Sequence, residues 1–260
     1  MKNIEIQQIM NWCRRAGAYQ LQKFNRDINV EHKEQKINLV SEVDKKSEEM
    51  LRNSIKKHYP NHDILAEESG RENQESDYLW VIDPLDGTVN FVQGLPIFAI
   101  SVALFKDDEP QIAVVYLPYE DTFYTARRGE GSYRDDRKLQ VNKNKSLATS
   151  VISTGFPYDH QQDSEEVLKY FSRVLRQAGG IRRTGSAVYD LCQVASGVFG
   201  GFWELKLKPW DIAAGTLIVK EAGGAVTDFA GREIKFSGEQ IAAGSPDLHS
   251  ELLKTLQGRR

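Results

Sequence analysis

Only two of the 260 residues are cysteines, Cys13 and Cys192. Neither belongs to a C-x-x-C pair, and both fall in apolar, helix-like segments, which excludes a disulfide scaffold and a thiolate metal site. Buried, reduced thiols and a cytoplasmic location are the expectation. No apolar run approaches the ~18 residues of a membrane span. Met1-Lys2-Asn3 leads straight into a helical pattern, with no apolar leader. Positive charge is not in excess: 34 Lys and Arg stand against 37 Asp and Glu, for a net charge of -3. That leaves no electrostatic case for nucleic acid or an anionic membrane as a partner. Repeats, low-complexity tracts and Pro/Gly/Ser linkers are also missing. One domain over 1–260 is expected. Its N-terminal α+β half (1–145) carries the acidic loop, and its C-terminal α/β half covers 146–260. The five histidines form no ligand pattern.

What is present is an ordinary globular composition, with 40% hydrophobic and 27% charged residues. Apolar spacing predicts helices over 4–24 and 41–58, with Tyr59-Pro60 ending the second. Short strands are predicted at 64–65 and 78–82. Pro84 is expected to stop the latter, since it cannot donate to a ladder. A meander follows at 98–105, 111–117 and 122–126, with Asp107-Asp108-Glu109-Pro110 as its first turn. The second half alternates: strands at 151–154, 202–205, 225–229 and 240–243, and helices at 164–178, 187–196, 212–222 and 246–256. The fold class is therefore α+β or mixed α/β.

The chemistry centres on W-V-I-D-P-L-D-G-T-V-N-F, Trp80 to Phe91. Asp83 and Asp86 end a buried strand, and Gly87-Thr88 makes an amide-rich turn suited to an anion. Acids also occur as Glu67-Glu68 after Ile64-Leu65, and as Asp211 after Pro209-Trp210, where a helix opens. Carboxylates without basic partners repel, and each costs several kcal/mol to bury. A hard divalent cation with all-oxygen ligands resolves this, and Mg²⁺ bridging to a phosphate is the economical reading. D-P-x-D-G is also a good plain turn, Asp211 a good helix cap, and Glu67-Glu68 a good solvated pair. Spacing does not show that these acids meet.

Taken with their neighbours, these residues resemble the inositol monophosphatase family. D-P-L-D-G-T-V-N-F (Asp83–Phe91) is similar to its first signature and P-W-D-I-A-A-G (Pro209–Gly215) to its second. Ala66-Glu67-Glu68-Ser69 resembles its G-E-E-S element. N-L-V-S-E-V-D (Asn38–Asp44), I-R-R-T-G-S-A (Ile181–Ala187) and F-W-E-L-K-L-K-P-W-D (Phe202–Asp211) match in order. The resemblance implies a layered αβαβα sandwich and Mg²⁺-dependent, Li⁺-sensitive phosphomonoesterase activity, often in a homodimer. It implies that Glu67, Asp83 and the Leu85 carbonyl hold one Mg²⁺, and that Asp83, Asp86 and Asp211 hold a second. Glu67 would also face a weaker third. Gly87 and Thr88 would present amides to the phosphate, and Thr88, polarised by Asp44, would help Glu67 activate water. Two departures stand out: Asn38-Leu39-Val40-Ser41 replaces the usual D-L-V-T, and Ala66 replaces a Gly. Lys33 and Lys36 lie in the same polar loop.

Glu204 occupies the position that accepts substrate hydroxyls in the family, with Ser186, Ala187 and Trp210 beside it. Asp86 and Asp211 would also border the substrate. A carboxylate there suits a polyol, because it rejects analogues lacking the hydroxyl. Arg182-Arg183 reads as surface or interface, or as a site for a second phosphate. The expected substrate is a small polyol or sugar monophosphate, inositol monophosphate first. Fructose 1,6-bisphosphate, histidinol phosphate and 3′-phosphoadenosine 5′-phosphate remain alternatives. A phosphatase using an aspartyl-phosphate is disfavoured, since its D-x-D-G-T acids are two apart and these are three apart. An RNA- or protein-binding scaffold is disfavoured by the charge and the complete acidic set.

Overall fold

The structure is a computed structural model and describes residues 4–32, 39–72, 75–143, 146–157, 164–234 and 238–259. Lys33, Lys36 and Asn38 lie outside the described residues. Among the described residues the helices are α1 (Ile6–Lys23), α2 (Glu42–His58), α3 (Thr88–Val92), α4 (Glu165–Leu175), α5 (Ala187–Ala195), α6 (Pro209–Glu221) and α7 (Pro246–Gln257). None is long and apolar enough to cross a membrane.

The strands form two main sheets. The eight-stranded sheet runs in the order Arg137–Lys138, Gly131–Arg134, Thr122–Arg127, Glu109–Leu117, Ala99–Lys106, Tyr78–Asp86, Asp63–Ala66, Gly70–Glu72. The five-stranded sheet runs Gly180–Arg182, Val151–Thr154, Gly201–Leu207, Gly238–Gly244, Ala225–Thr227. Val30–His32 and Leu39–Ser41 make a separate antiparallel pair.

Strand alternation explains the layering. On the Tyr78–Asp86 strand, Trp80 and Ile82 face Ile9, Trp12 and Cys13 of α1 and Leu51 and Ile55 of α2. Leu79 and Val81 face the opposite way, into a core with Leu191 of α5, Leu217 and Ile218 of α6, and Phe202 and Ile241 of the second sheet. That sheet repeats the device: Trp203 and Ala242 turn outward to Leu248 and Leu252 of α7 and Val167 and Val174 of α4. The result is helices, sheet, helices, sheet, helices, the αβαβα sandwich expected. Each large side chain buried this way is worth about 1.5–3 kcal/mol. Both cysteines are free and buried. Burial pushes the Cys13 thiol up to about 12, so it stays protonated.

Three local expectations need correction. The Tyr78 strand does not stop before Pro84 but runs to Asp86. Its ladder with Ala99–Lys106 shifts register between Asp83 and Asp86, so Pro84 sits in a bulge where its missing N–H breaks no pair. The Pro84 carbonyl accepts from Gln20 Nε2 at 2.7 Å, which ties the bulge to α1. In the next turn only Asp107 and Asp108 bend the chain, both at positive φ (51° and 61°). Glu109 and Pro110 already belong to the following strand. Helix α6 starts at Pro209 rather than at 212, so Asp211 is not its N-cap but the acceptor of its capping box. It is the third helical residue, after Pro209 and Trp210, and its Oδ2 accepts from the Lys208 amide at 2.7 Å.

Candidate active site

The bulge at Pro84 aims the end of the strand into a cavity. Asp83 Oδ1 accepts from the Leu85 amide at 2.9 Å, which fixes its carboxylate within the turn. Gly87 then reverses the chain at φ 94°. A β-carbon there would lie 2.8 Å from the Ile97 carbonyl oxygen, so the turn requires glycine in shape as well as in φ. Thr88 begins α3, and its amide belongs to a first turn with no intrahelical partner.

One cavity collects nearly all the predicted residues. Glu67, Asp83, Leu85 and Asp86 line it, with Gly87 and Thr88. Ser186, Ala187, Glu204, Trp210 and Asp211 line its other walls. Residues from both sheets and from the starts of α3, α5 and α6 thus meet at one place. Asp44 does not line it. It lies fully buried on α2, directly behind Thr88.

Thr88 Oγ1 lies 2.7 Å from Asp44 Oδ1 and 3.1 Å from the Leu85 carbonyl. It has one proton, and the shorter, charge-assisted bond to Asp44 takes it. Asp44 Oδ2 accepts from the Ser41 amide at 2.8 Å, the reciprocal half of a capping box. One carboxylate therefore caps α2 and orients the threonine. Burial raises its pKa, opposed by hydrogen bonds from Ser41 and Thr88.

Asp86 Oδ2 accepts from Ser186 Oγ at 2.6 Å and from the Val188 amide at 2.8 Å, tying the turn to the start of α5. Burial pushes its pKa up to about 6 against those hydrogen bonds. Burial raises Asp83 well above its ordinary range, and Glu67, Asp86 and Asp211 push it further. Asp211 is raised by burial and then by Glu67 and Asp86. No cation is among the groups that offset these three shifts.

This donor set suits a hard dication. It offers hard carboxylate and carbonyl oxygens without His or Cys, the chemistry that selects Mg²⁺ over softer ions. Its mutual repulsion is the charge a dication would neutralise. Protein donors hold an oxygen of Asp83, Asp86 and Asp211, and among the described residues no three His, Cys, Asp or Glu side chains already surround one point. The residues fit Mg²⁺ in chemistry and charge, with side-chain rotation needed to gather the remaining oxygens.

The same cavity holds residues that the motifs leave unassigned. Asp190 of α5 lines it and accepts from Thr184 Oγ1 at 2.7 Å. Burial raises both Asp190 and Glu204 well above their ordinary range; Asp190 and Asp86 raise Glu204 further, Asp86 also raises Asp190, and Arg183 opposes this in both. The visible signal for Asp190 was an acid in the middle of the apolar A-V-Y-D-L-C. Gly155 faces Glu204 so closely that a β-carbon would overlap its carboxylate. Arg183, Lys206 and Lys208 are exposed at the wall. Arg183 therefore belongs to the cavity, whereas Arg182 stays on the surface. Behind Glu67, the buried Glu48 of α2 accepts from the amides of Glu68 (2.7 Å) and Ser69 (3.1 Å). No sequence motif flagged Glu48.

Residues 4–259 match the model of the inositol monophosphatase family. A fructose-1,6-bisphosphatase/inositol-1-monophosphatase of Aquifex aeolicus is 44% identical over 226 residues, 87% of this chain and 84% of that one. The Nus factor SuhB of Pasteurella multocida is 42% identical over 219 residues, 84% of this chain and 82% of that one. A solved IMPase/NADP phosphatase, complexed with Mg²⁺ and phosphate, superposes with a TM-score of 0.85 at 26% identity, over 96% of this chain and 93% of that one. The motifs, the layering and these likenesses agree: the chain belongs to the inositol monophosphatase family.

Proposed function

We propose that the chain is a Mg²⁺-dependent phosphoric monoester hydrolase of small polyol or sugar phosphates, with inositol monophosphate the first substrate to test. The observation that carries this reading is the Thr88–Asp44 pair beside a cavity where Glu67, Asp83, Asp86 and Asp211 converge, with Asp83 raised by burial and by its acidic neighbours. Glu67, Asp83, the Leu85 carbonyl, Asp86 and Asp211 would hold two or three Mg²⁺. When bound, Mg²⁺ supplies Lewis acidity that lowers the pKa of water and offsets charge on phosphoryl oxygens.

The chain's own residues do the rest. The Gly87 and Thr88 amides bind phosphate oxygens. Thr88 Oγ1 donates its hydrogen bond to Asp44 and so turns a lone pair to the attacking water, accepting a hydrogen bond from one of its O–H groups. Glu67 is the base that takes the proton of the other O–H. The water oxygen bonds to phosphorus as the ester P–O bond breaks in line, and the departing alkoxide is protonated to the alcohol. Glu204, with Ser186 and Ala187 beside it, accepts substrate hydroxyls. Li⁺ sensitivity, a homodimer and a cytoplasmic location belong to the same proposal.

The Aquifex relative's name supports fructose 1,6-bisphosphate as an alternative substrate, with histidinol phosphate and 3′-phosphoadenosine 5′-phosphate behind it. The Pasteurella relative's name as a Nus factor supports a second, binding role beside hydrolysis. The test is phosphate release from a substrate panel with Mg²⁺ titrated and Li⁺ added. Asp86→Asn should stay folded, since an amide oxygen can still accept from Val188, and should lose at least about a hundredfold in turnover. Near-wild-type rates in that variant would show the metal assignment to be wrong.

A further inference from the structure

Gln20 of α1 is fully buried, and its amide is only half satisfied. Nε2 donates to the Pro84 carbonyl at 2.7 Å and to Ser47 Oγ of α2 at 3.1 Å. Oε1 has no hydrogen-bond partner among the described residues. The Pro84 carbonyl only accepts, so the amide cannot turn round to satisfy Oε1. A buried acceptor left unpaired costs stability that a leucine or methionine in its place would not. Ile9, Trp12, Cys13, Ala16 and Gly17 make the rest of the buried face of α1, so packing alone would select an apolar residue. Gln20 is therefore explained by what its Nε2 holds.

Its target is the peptide between Pro84 and Leu85. Neither residue is registered with a neighbouring strand: the ladder with Ala99–Lys106 skips from Asp83 to Asp86, and the one with Asp63–Ala66 ends at Ile82. There is no cis peptide bond among the described residues, so the carbonyl and amide of this planar unit point in opposite directions. The carbonyl accepts from Gln20, and the Leu85 amide donates to Asp83 Oδ1 at 2.9 Å. The two bonds polarise one another across the peptide. Rotation of that plane would carry the Leu85 N–H away from Asp83. Gln20 thus acts on an oxygen of Asp83 through one rigid unit. Ser47 steadies the glutamine from α2, one turn beyond Asp44.

We propose that Gln20 is a positioning residue for the metal site, which sets the Asp83 carboxylate through the Pro84–Leu85 peptide. This rests on the Mg²⁺-dependent reading and deepens it. In that reading Asp83 is shared between two Mg²⁺, so a peptide free to turn weakens the site before any substrate enters. Gln20 itself lies outside the cavity and acts only through its neighbours.

The test is Mg²⁺ calorimetry on the full chain, with hydrogen exchange followed in chelator. Gln20→Met keeps the volume and removes the donor, and Gln20→Asn keeps an amide that falls a methylene short of Pro84. Each should weaken Mg²⁺ binding by on the order of tenfold, the lower end of what outer partners of metal ligands contribute. Exchange at the Leu85 amide of the metal-free protein should quicken by about tenfold, since the plane is no longer held. Ser47→Ala leaves the Pro84 bond in place and should bind Mg²⁺ within about twofold of wild type. Wild-type Mg²⁺ affinity in folded Gln20→Met or Gln20→Asn, or unchanged Leu85 exchange, overturns the proposal. So does a Ser47→Ala variant that binds as weakly as Gln20→Met, which would point to general loosening between α1 and α2. A lowered melting temperature with Mg²⁺ affinity intact also overturns it and leaves Gln20 a structural residue. In all these cases wild type still binds Mg²⁺ and the wider reading stands. A wild type that binds no Mg²⁺ removes both.

Discussion

Thr88 and Asp44 are 44 residues apart in sequence, and their side chains meet at 2.7 Å. The other oxygen of the same carboxylate accepts from the Ser41 amide. Asp44→Asn cannot satisfy both donors, because one of them must face an NH₂. The expected cost is about 1 kcal/mol of stability from the weakened cap. The expected fall in kcat is about a hundredfold, from a threonine no longer held. Steady-state kinetics on a folded variant checks this, and a kcat within twofold of wild type would remove Asp44 from the mechanism.

Glu48 offers a separable test of how the Glu67 loop is held. Its two oxygens accept from consecutive amides just beyond Glu67, and it is buried. Such charge-assisted bonds are worth about 1.5–3 kcal/mol each. Glu48→Ala should speed hydrogen exchange at the Glu68 and Ser69 amides and weaken Mg²⁺ binding about tenfold, read by calorimetry. Glu48→Gln, which keeps one acceptor, should fall between. Faster exchange with unchanged Mg²⁺ affinity would make Glu48 a structural residue only.

These two residues also mark where the sequence was legible and where it was not. The long amphipathic helices and the meander were readable, because their apolar periods are local. The strand Val151–Thr154 was readable too, but Val30–His32, Leu39–Ser41 and Gly180–Arg182 were not, because three residues are too few to show an alternating pattern. Pro84 misled as a terminator, since a bulge accommodates a residue without an N–H. At the site, Asp83, Asp86 and Asp211 were legible through motifs and order. Glu48, Asp190 and Gly155 were not. Each acts through a neighbour brought in by the fold, and nothing local distinguishes Glu48 from any other helix acid.

Asp190 gives a pH prediction with a definite sign. Burial raises its folded pKa above the ordinary 3.8, opposed by the Thr184 hydrogen bond and by Arg183, and reinforced by Asp86. Glu204 is raised by the same neighbourhood. A group whose pKa rises on folding contributes stability that is full below the unfolded value and lost as pH climbs through the folded one. Asp190→Asn removes that loss while keeping an acceptor for Thr184. The variant's melting temperature relative to wild type, in chelator, should therefore increase from pH 4 toward neutrality. A difference that stays flat across that range would mean the acid is not strained by burial.

Gly155 bears on substrate choice. A β-carbon there would overlap the Glu204 carboxylate, and no positive φ forbids alanine. The clash falls on the far end of a side chain, so Gly155→Ala should fold and displace Glu204 without touching Asp83, Asp86 or Asp211. Glu204→Gln alters the same acceptor from the other side. Both variants should reduce kcat/KM for polyol phosphates about tenfold, the scale of one lost charged hydrogen bond. Hydrolysis of an aryl phosphate, which offers no hydroxyl, should change by less than threefold. The decisive quantity is the ratio of the two substrates in each variant. Equal losses on both would place the damage in the hydrolytic machinery and end the case for Glu204 as the specificity residue. A selective loss in Gly155→Ala matching that in Glu204→Gln would show that the glycine is there to seat the glutamate.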